Sequence, residues 1–325
     1  ILDGLKEPAP PATGHADSIG NAETLDRWRH AIGYAITEES PTENKVLPGV
    51  LPSGGQPVPQ QQIGGIEIPV SRLILGCDNK DTIADGAIVW DAWMEAGGNG
   101  FDTGFVYGNG RHEAVLGEWI RNRGVAAEVA VVVKGGHTPY CFPRAIEAQL
   151  DISLDRLGLD RAPIYILHRD NADVPVGEFV DALSRLHRAG RIGVFGGSNW
   201  SVERFRDAND YAAANGLEPL RILNNNLSLA VMEKPVWPGC VSSNTPPTLD
   251  YLRDGNAVHL SWSSQARGYF LPKELRDRLP AGTAPETCFG SPENAERRHR
   301  AETLAAERGV SAHNVAMAWV LAQPF

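Results

Sequence analysis

The chain has 325 residues, 42% of them hydrophobic, and a formal net charge of −10. That length admits one large α/β domain plus an extension, since a barrel of alternating strands and helices fills about 250 residues. The acidic balance argues against nucleic acid or an anionic membrane as a partner, because either needs a basic face.

No apolar run reaches the roughly 18 residues of a transmembrane helix. Four cysteines, Cys77, Cys141, Cys240 and Cys288, lie far apart with no CxxC pair, so neither a zinc site nor a disulfide framework is signalled. A reduced, cytoplasmic setting is expected. The chain starts at Ile1 without an initiator Met or a signal peptide, which leads us to expect a piece of something longer.

Residues 1–61 hold eight prolines and one amphipathic stretch, 22–32, with Leu25, Trp28 and Ile32 at helical spacing. They read as an N-terminal extension or linker with a short helix, followed by a regular domain over 62–325. In that domain, 63–68 looks like a hairpin with a Gly64-Gly65 turn, and 70–76 like a first strand. A helix over 81–96 follows, then a strand ending at Asp102, a helix over 111–122 and an apolar β-branched strand ending at Lys134. Next come a helix over 143–157 and a strand over 162–168. A run apolar on both faces, as before Lys134, suits a central parallel strand covered by helices. The alternation continues with a helix over 179–189, a strand from Arg191 with its loop to Trp200, and a helix capped by Ser201. Further strands are expected at 220–225 and 257–262, and helices at 248–254, 295–308 and 311–323.

The fold class expected is therefore α/β, with parallel strands whose chemistry sits where strands end and loops begin. Asp102, Tyr107, Lys134 and His168 would gather at one mouth. Taken singly each has an ordinary reading: a surface aromatic, a solvated lysine, a carboxylate on backbone amides, a core histidine. Their agreement at separate strand ends carries the inference.

Asp102 with Tyr107 five residues on, then Glu113-Ala114-Val115-Leu116-Gly117, Lys134 and Leu167-His168-Arg169, resembles the aldo-keto reductase superfamily over 62–325. The resemblance implies a (β/α)8 TIM barrel with an Asp, Tyr, Lys, His tetrad at its mouth. A family member would continue past Val320-Leu321-Ala322-Gln323-Pro324 into an eighth strand and helix; here the sequence stops at Phe325. We expect an incomplete barrel, open at an edge, which as given could lack activity. Residues 1–61 weakly resemble the C-terminal end of the Gfo/Idh/MocA sugar dehydrogenases, which would make the parent protein a fusion of two oxidoreductases.

The implied reaction is NAD(P)H-dependent interconversion of a carbonyl and its alcohol. It needs a proton donor near the carbonyl oxygen, and a Tyr107 phenol serves if Lys134 lowers its pKa from about 10. Asp102 would hold the lysine charged and oriented, and His168 would bond the substrate oxygen. The resemblance assigns Ser198 and Asn199 to the nicotinamide carboxamide, with Asn224 where the family usually has Gln and Leu227 where it has an aromatic. Trp262 would stack on the nicotinamide ring, and Ser263, Gln265 and Arg267 would line the pyrophosphate. No GxGxxG fingerprint follows a strand, which fits a cofactor laid across a barrel mouth. NADP(H) is expected over NAD(H) by family habit alone.

Cys77, Asp78 and Asn79 after the first strand, His137, Thr138 and Tyr140 after the third and Trp200 after the fifth are candidate pocket walls, and the polar pair Asp78-Asn79 suits a sugar or polyol substrate. His112, His137, His187, His259, His299 and His313 receive no role, although His137 lies in the mouth loop after Lys134. Two other classes remain open. One is a nucleotide-binding, redox-sensing subunit with little turnover, and the other a barrel lyase or isomerase that never binds nicotinamide.

Overall fold

The computed structural model describes residues 57–279 and 285–325. The stretch 22–32 and nearly all of the expected extension lie outside the described residues. The chain divides into two compact units, Ile1–Phe195 and Gly196–Phe325.

In the first unit, Gln60–Gln61 (β1) pairs antiparallel with Val70–Ser71 (β2) around a turn at Gly64-Gly65, where the Ile66 N–H donates to the Ile63 carbonyl at 3.0 Å. The expected hairpin is thus present, but its paired residues flank 63–68. The expected first strand is divided into β2 and Ile74–Gly76 (β3). Ser71 explains the break. Its Oγ donates to the Leu73 carbonyl at 2.7 Å and accepts the Gly100 N–H at 2.9 Å, while Asn99 Oδ1 accepts the Ser71 N–H at 2.8 Å. A side chain that captures nearby backbone groups in this way competes with the strand ladder.

Gly100–Asp102 (β4), Ala130–Gly135 (β5) and Ala162–Leu167 (β6) then run parallel in chain order after β3, with Gly76 opposite Asp102, Asp102 opposite Val132 and Lys134 opposite Ile166. All six residues of β5 are buried, as its apolar run requires. Between the strands stand Ile83–Glu95 (α1), Arg111–Arg123 (α2), Pro143–Leu157 (α3) and Val176–Arg188 (α4). Helices α2 and α3 meet at Gly117, where a Cβ would lie 2.1 Å from the Arg156 carbonyl oxygen. The strand Ile192–Ser198 (β7) crosses from the first unit into the second.

In the second unit the end of β7 pairs parallel with Ile222–Asn224 (β8), which pairs parallel with Val258–His259 (β9). β8 and β9 are shorter than expected, but single backbone bonds persist past them, with the Trp262 N–H on the Asn225 carbonyl at 3.3 Å, and side-chain amides add to these. Asn225 Nδ2 donates to the Trp200 carbonyl at 2.8 Å, and Asn226 Nδ2 to the Trp262 carbonyl at 3.2 Å. The helix Val202–Ala214 (α5) carries the expected cap, with Ser201 Oγ accepting the Arg204 N–H at 3.1 Å. Pro246–Arg253 (α6), Lys273–Arg276 (α7), Pro285–Phe289 (α8), Pro292–Arg308 (α9) and Ala312–Leu321 (α10) follow. Tyr269, Phe270 and Phe289 pack with Ala301 and Ala316 as their core. The two shortest helices, α7 and α8, span too few residues to show a helical period in sequence.

Strands β3 to β9 alternate with helices in parallel βα order, the pattern of a (β/α)8 barrel. Among the described residues no eighth parallel strand follows β9. No described helix is long and apolar enough to cross a membrane. The close approach at Gly117 is testable. Gly117→Ala forces a methyl against backbone and should lower stability by about 1–3 kcal/mol, read as a lower urea midpoint; an unchanged midpoint would show that α2 and α3 can separate freely.

Candidate active site

The ends of β4, β5 and β6 bring the side chains of Asp102, Tyr107, Lys134 and His168 in the first unit together. Asp102 closes β4, and the ladder continues past it: the Thr103 N–H donates to the Val132 carbonyl at 3.0 Å and the Phe105 N–H to the Lys134 carbonyl at 2.8 Å. The chain then turns, the Tyr107 N–H donating to the Gly104 carbonyl at 2.9 Å. Tyr107 thereby opens a short 3-10 turn, Tyr107–Gly110, ahead of α2. Gly104 has a steric reason. A Cβ there would stand 3.3 Å from both the Tyr107 ring and His168 Cε1, so the two rings meet over a residue without a side chain.

Lys134 lies one residue before the end of β5 and is only 3% exposed. Its Nζ donates to both Asp102 oxygens, at 2.6 Å and 2.5 Å, and stands 5.1 Å from the centroid of the Tyr107 ring. His168 follows β6, with its N–H on the Gly135 carbonyl at 2.7 Å. Its ring lies edge-on to Tyr107 at 5.4 Å and edge-on to His137 at 4.9 Å. His137, expected only in the mouth loop after Lys134, is thus a direct neighbour of His168.

Burial and charge oppose each other throughout this cluster. Burial pushes the Lys134 ammonium down, but the Asp102 carboxylate and the Tyr107 oxygen outweigh it and raise its pKa above the usual lysine value. Burial raises the Asp102 carboxyl above the usual carboxylate value, and the Lys134 charge draws it only part of the way back. With 23% of its side chain exposed and both oxygens on the ammonium, Asp102 is an anion. Burial keeps His168 neutral, its pKa held well below the usual histidine value, with Lys134 adding to the effect.

Tyr107 corrects the expectation of a lowered pKa. Burial raises it above 10.0, and the Lys134 charge, pulling downward, does not overcome that. At neutral pH the phenol is protonated and is equipped to donate.

Asp78 and Asn79 follow β3 and are exposed, and the Asp78 charge reaches Tyr107 and Asp102, raising both. Trp200, by contrast, has no exposed surface: its ring packs where a Cβ on Gly197 would stand 2.7 Å away, with the Arg204 guanidinium 5.6 Å from its centroid.

The second unit gathers the other named residues in two places. Ser198 and Asn224 are ladder partners at the ends of β7 and β8. Asn199, in left-handed backbone at φ 60°, donates from Nδ2 to Ser198 Oγ at 3.0 Å and accepts the Val241 N–H at 3.1 Å. Asn224 Nδ2 donates to the Leu260 carbonyl at 2.6 Å, so one N–H is turned to the segment just past β9. Leu227 is buried at 1% exposure. After β9, Trp262 has its indole N–H buried without a hydrogen-bond partner among the described residues. Gln265 donates to the His313 carbonyl at 3.1 Å, and the Arg267 guanidinium lies 5.0 Å from the centroid of the Trp237 ring.

A nicotinamide dinucleotide fits part of this donor set. Ala266, Arg267 and Gly268 are successively left-handed, at φ 50°, 53° and 90°. Within that turn the Ala266 N–H is spent on the Ser263 carbonyl at 2.8 Å and the Gly268 N–H on the Gln265 carbonyl at 3.2 Å, so of its backbone only the Arg267 N–H could face a phosphate. The orphaned indole N–H of Trp262 is a donor awaiting an acceptor. The Asn199 and Asn224 amides fit less well, since each commits one of its two N–H donors to a neighbouring group. Among the described residues no group of three or more His, Cys, Asp or Glu is arranged to hold a metal ion.

A sequence model described as the Aldo/keto reductase family matches residues 83–325. The chain is 25% identical to the NADP(+) aldo-keto reductase yakc of Schizosaccharomyces pombe, over 82% of this chain and 80% of that protein. It is 26% identical to the uncharacterized oxidoreductase YrpG of Bacillus subtilis, over 81% and 83%. It is also 26% identical to a probable voltage-gated potassium channel subunit beta of Oryza sativa subsp. japonica, over 81% and 84%. With the family model spanning most of the chain, this protein belongs to the aldo/keto reductase family.

Proposed function

We propose that the protein is an NAD(P)H-dependent oxidoreductase that interconverts an aldehyde or ketone with its alcohol. The observation that carries this reading is a half-buried Tyr107 ring 5.1 Å from the ammonium of a lysine whose charge is fixed by Asp102. In reduction, Tyr107 gives its proton to the carbonyl oxygen, and Lys134 stabilises the phenolate left behind. In oxidation the same phenolate takes the proton back. His168, uncharged, donates a hydrogen bond that orients the substrate oxygen. A bound nicotinamide would supply or accept the hydride, held by Ser198, Asn199, Asn224, Trp262 and the 263–268 turn.

NADP(H) is preferred over NAD(H), a reading supported by the relative named for NADP(+). The exposed Asp78 and Asn79 after β3 favour a hydroxylated carbonyl, such as a sugar or polyol derivative, over an aromatic aldehyde. Residues 62–325 form the catalytic domain and 1–61 precede it as an extension, in a cytoplasmic protein. A second reading, a nucleotide-binding regulatory subunit with little turnover, is favoured by the channel-subunit relative and by the inward-bonded Asn224 amide. The complete tetrad supports the enzyme.

Tyr107→Phe should lower kcat for carbonyl reduction by about 10²–10⁴-fold, the range of general acid catalysis, while leaving NADPH binding, followed by quenching of tryptophan fluorescence, intact. A variant that reduces carbonyls as fast as the parent removes Tyr107 from the chemistry. The pH dependence follows from the two raised or lowered groups. His168 stays neutral down to well below 6.5 and Tyr107 stays protonated above 10.0, so the reduction rate should show no break from either group around neutrality and fall only at alkaline pH. An alkaline limb centred near pH 7 would contradict this. A panel of sugars, inositols and aromatic aldehydes tests the substrate class; turnover of aromatic aldehydes alone would refute the role given to Asp78 and Asn79.

A further inference from the structure

We propose that the buried Glu113–Arg156 pair is a positioning device that fixes the Tyr107 turn through the Phe105 carbonyl. It rests on the reading of Tyr107 as proton donor and names residues that act on it without touching substrate.

Glu113 stands in the first turn of α2 and Arg156 in the last turn of α3, with side chains 0% and 4% exposed and Nη1 to Oε2 at 2.7 Å. The same Arg156 Nη1 donates to the Phe105 carbonyl at 3.0 Å, and the guanidinium lies 4.4 Å from the centroid of the Phe105 ring. Phe105 is therefore held on both sides of its residue. Its carbonyl is bound by Arg156, and its N–H by the carbonyl of Lys134 at 2.8 Å. Tyr107 is two residues further on, in the turn closed by its own N–H on Gly104. The separation of the phenol from the lysine charge thus depends on where Arg156 holds Phe105.

The turn is also built around the guanidinium. Gly110, at φ 90°, would place a Cβ 2.4 Å from Arg156 Cζ, so Gly110 closes directly over that charge. The close contact of α2 with α3 at Gly117, one helical turn beyond Glu113, brings the carboxylate opposite the arginine.

A simple packing role for the pair accounts for less. A buried ion pair is weak evidence for stability, since apolar replacements of similar volume are often neutral or stabilising. Arg156 Nε is in addition buried without a hydrogen-bond partner among the described residues. What apolar replacements could not supply is a donor for the Phe105 carbonyl. Without it that carbonyl loses a charge-assisted bond that anchors the start of the Tyr107 turn, and the turn is held less firmly.

The test is the double variant Glu113→Gln/Arg156→Met, which removes both charges and leaves none isolated. Its fold is checked by circular dichroism, beside Tyr107→Phe and the parent protein. With NADPH and the best carbonyl of the panel, kcat should fall about a hundred-fold, the scale of a misplacement of one ångström, with KM for NADPH unchanged. The Phe105 amide should exchange with deuterium about ten-fold faster or more, reporting local opening. Unchanged kcat together with unchanged exchange overturns the proposal, as does a loss confined to thermal stability. If the parent reduces none of the panel, the proposed function has failed separately, and exchange at Phe105 alone decides the positioning role. If the double variant does not fold, Arg156→Lys takes its place. It keeps the charge but cannot fork to both Glu113 and Phe105, and should show both effects in smaller measure; no effect on either overturns the proposal.

Discussion

A lysine charge buried at a strand end governs this site. An ammonium with 3% exposure is tolerable only when an opposite charge stands against it, and Asp102 meets it with both oxygens. Once held, the charge acts on the neighbouring phenol. At an effective dielectric constant of about 20, unit charges about 4 Å apart interact by about 4 kcal/mol, and one pKa unit is worth about 1.4 kcal/mol. That attraction is large enough to compete with the desolvation of a buried phenolate, though not to exceed it in the protein alone. The opposition leaves a phenol that is protonated at rest and whose anion is stabilised when it forms.

The scaffold sets this balance through short, specific pieces of backbone. The parallel register places Asp102 one strand away from Lys134, and β6 delivers His168 next to them. Thr103 and Phe105 extend the ladder beyond the last residue of β4, so the loop carrying Tyr107 starts from a fixed point. Gly104 lets the phenol and imidazole rings meet. In the second unit the amides of Asn225 and Asn226 brace the backbone at Trp200 and Trp262 just past the strand ends.

Much of this was legible in the sequence, for identifiable reasons. The α3 helix was bounded at 143–157 because Pro143 opens it and Gly158 closes it in left-handed backbone. β5 was legible from its β-branched run, and the tetrad from residues at the ends of successive strands. What escaped notice involved contacts distant in sequence. The break between β2 and β3 depends on Ser71 meeting Asn99 and Gly100, and the Arg156 contact with Phe105 spans 51 positions. The direction of the Tyr107 shift was also hidden, since a lysine can be read from sequence but the depth of burial opposing it cannot. His137 was legible only as a residue of the mouth loop after strand three, because its contact with His168 depends on the fold.

The most direct measurement is the ionisation of Tyr107 itself, followed by NMR with ¹³Cζ-labelled tyrosine, assigned by comparison with Tyr107→Phe, in the parent protein and in Lys134→Met. If the held ammonium is what stabilises the phenolate, the Tyr107 pKa lies above 10.0 in the parent and rises further when Lys134 is removed. A Tyr107 pKa that stays where it was, or falls, in Lys134→Met would contradict the central claim that this charge controls the proton donor.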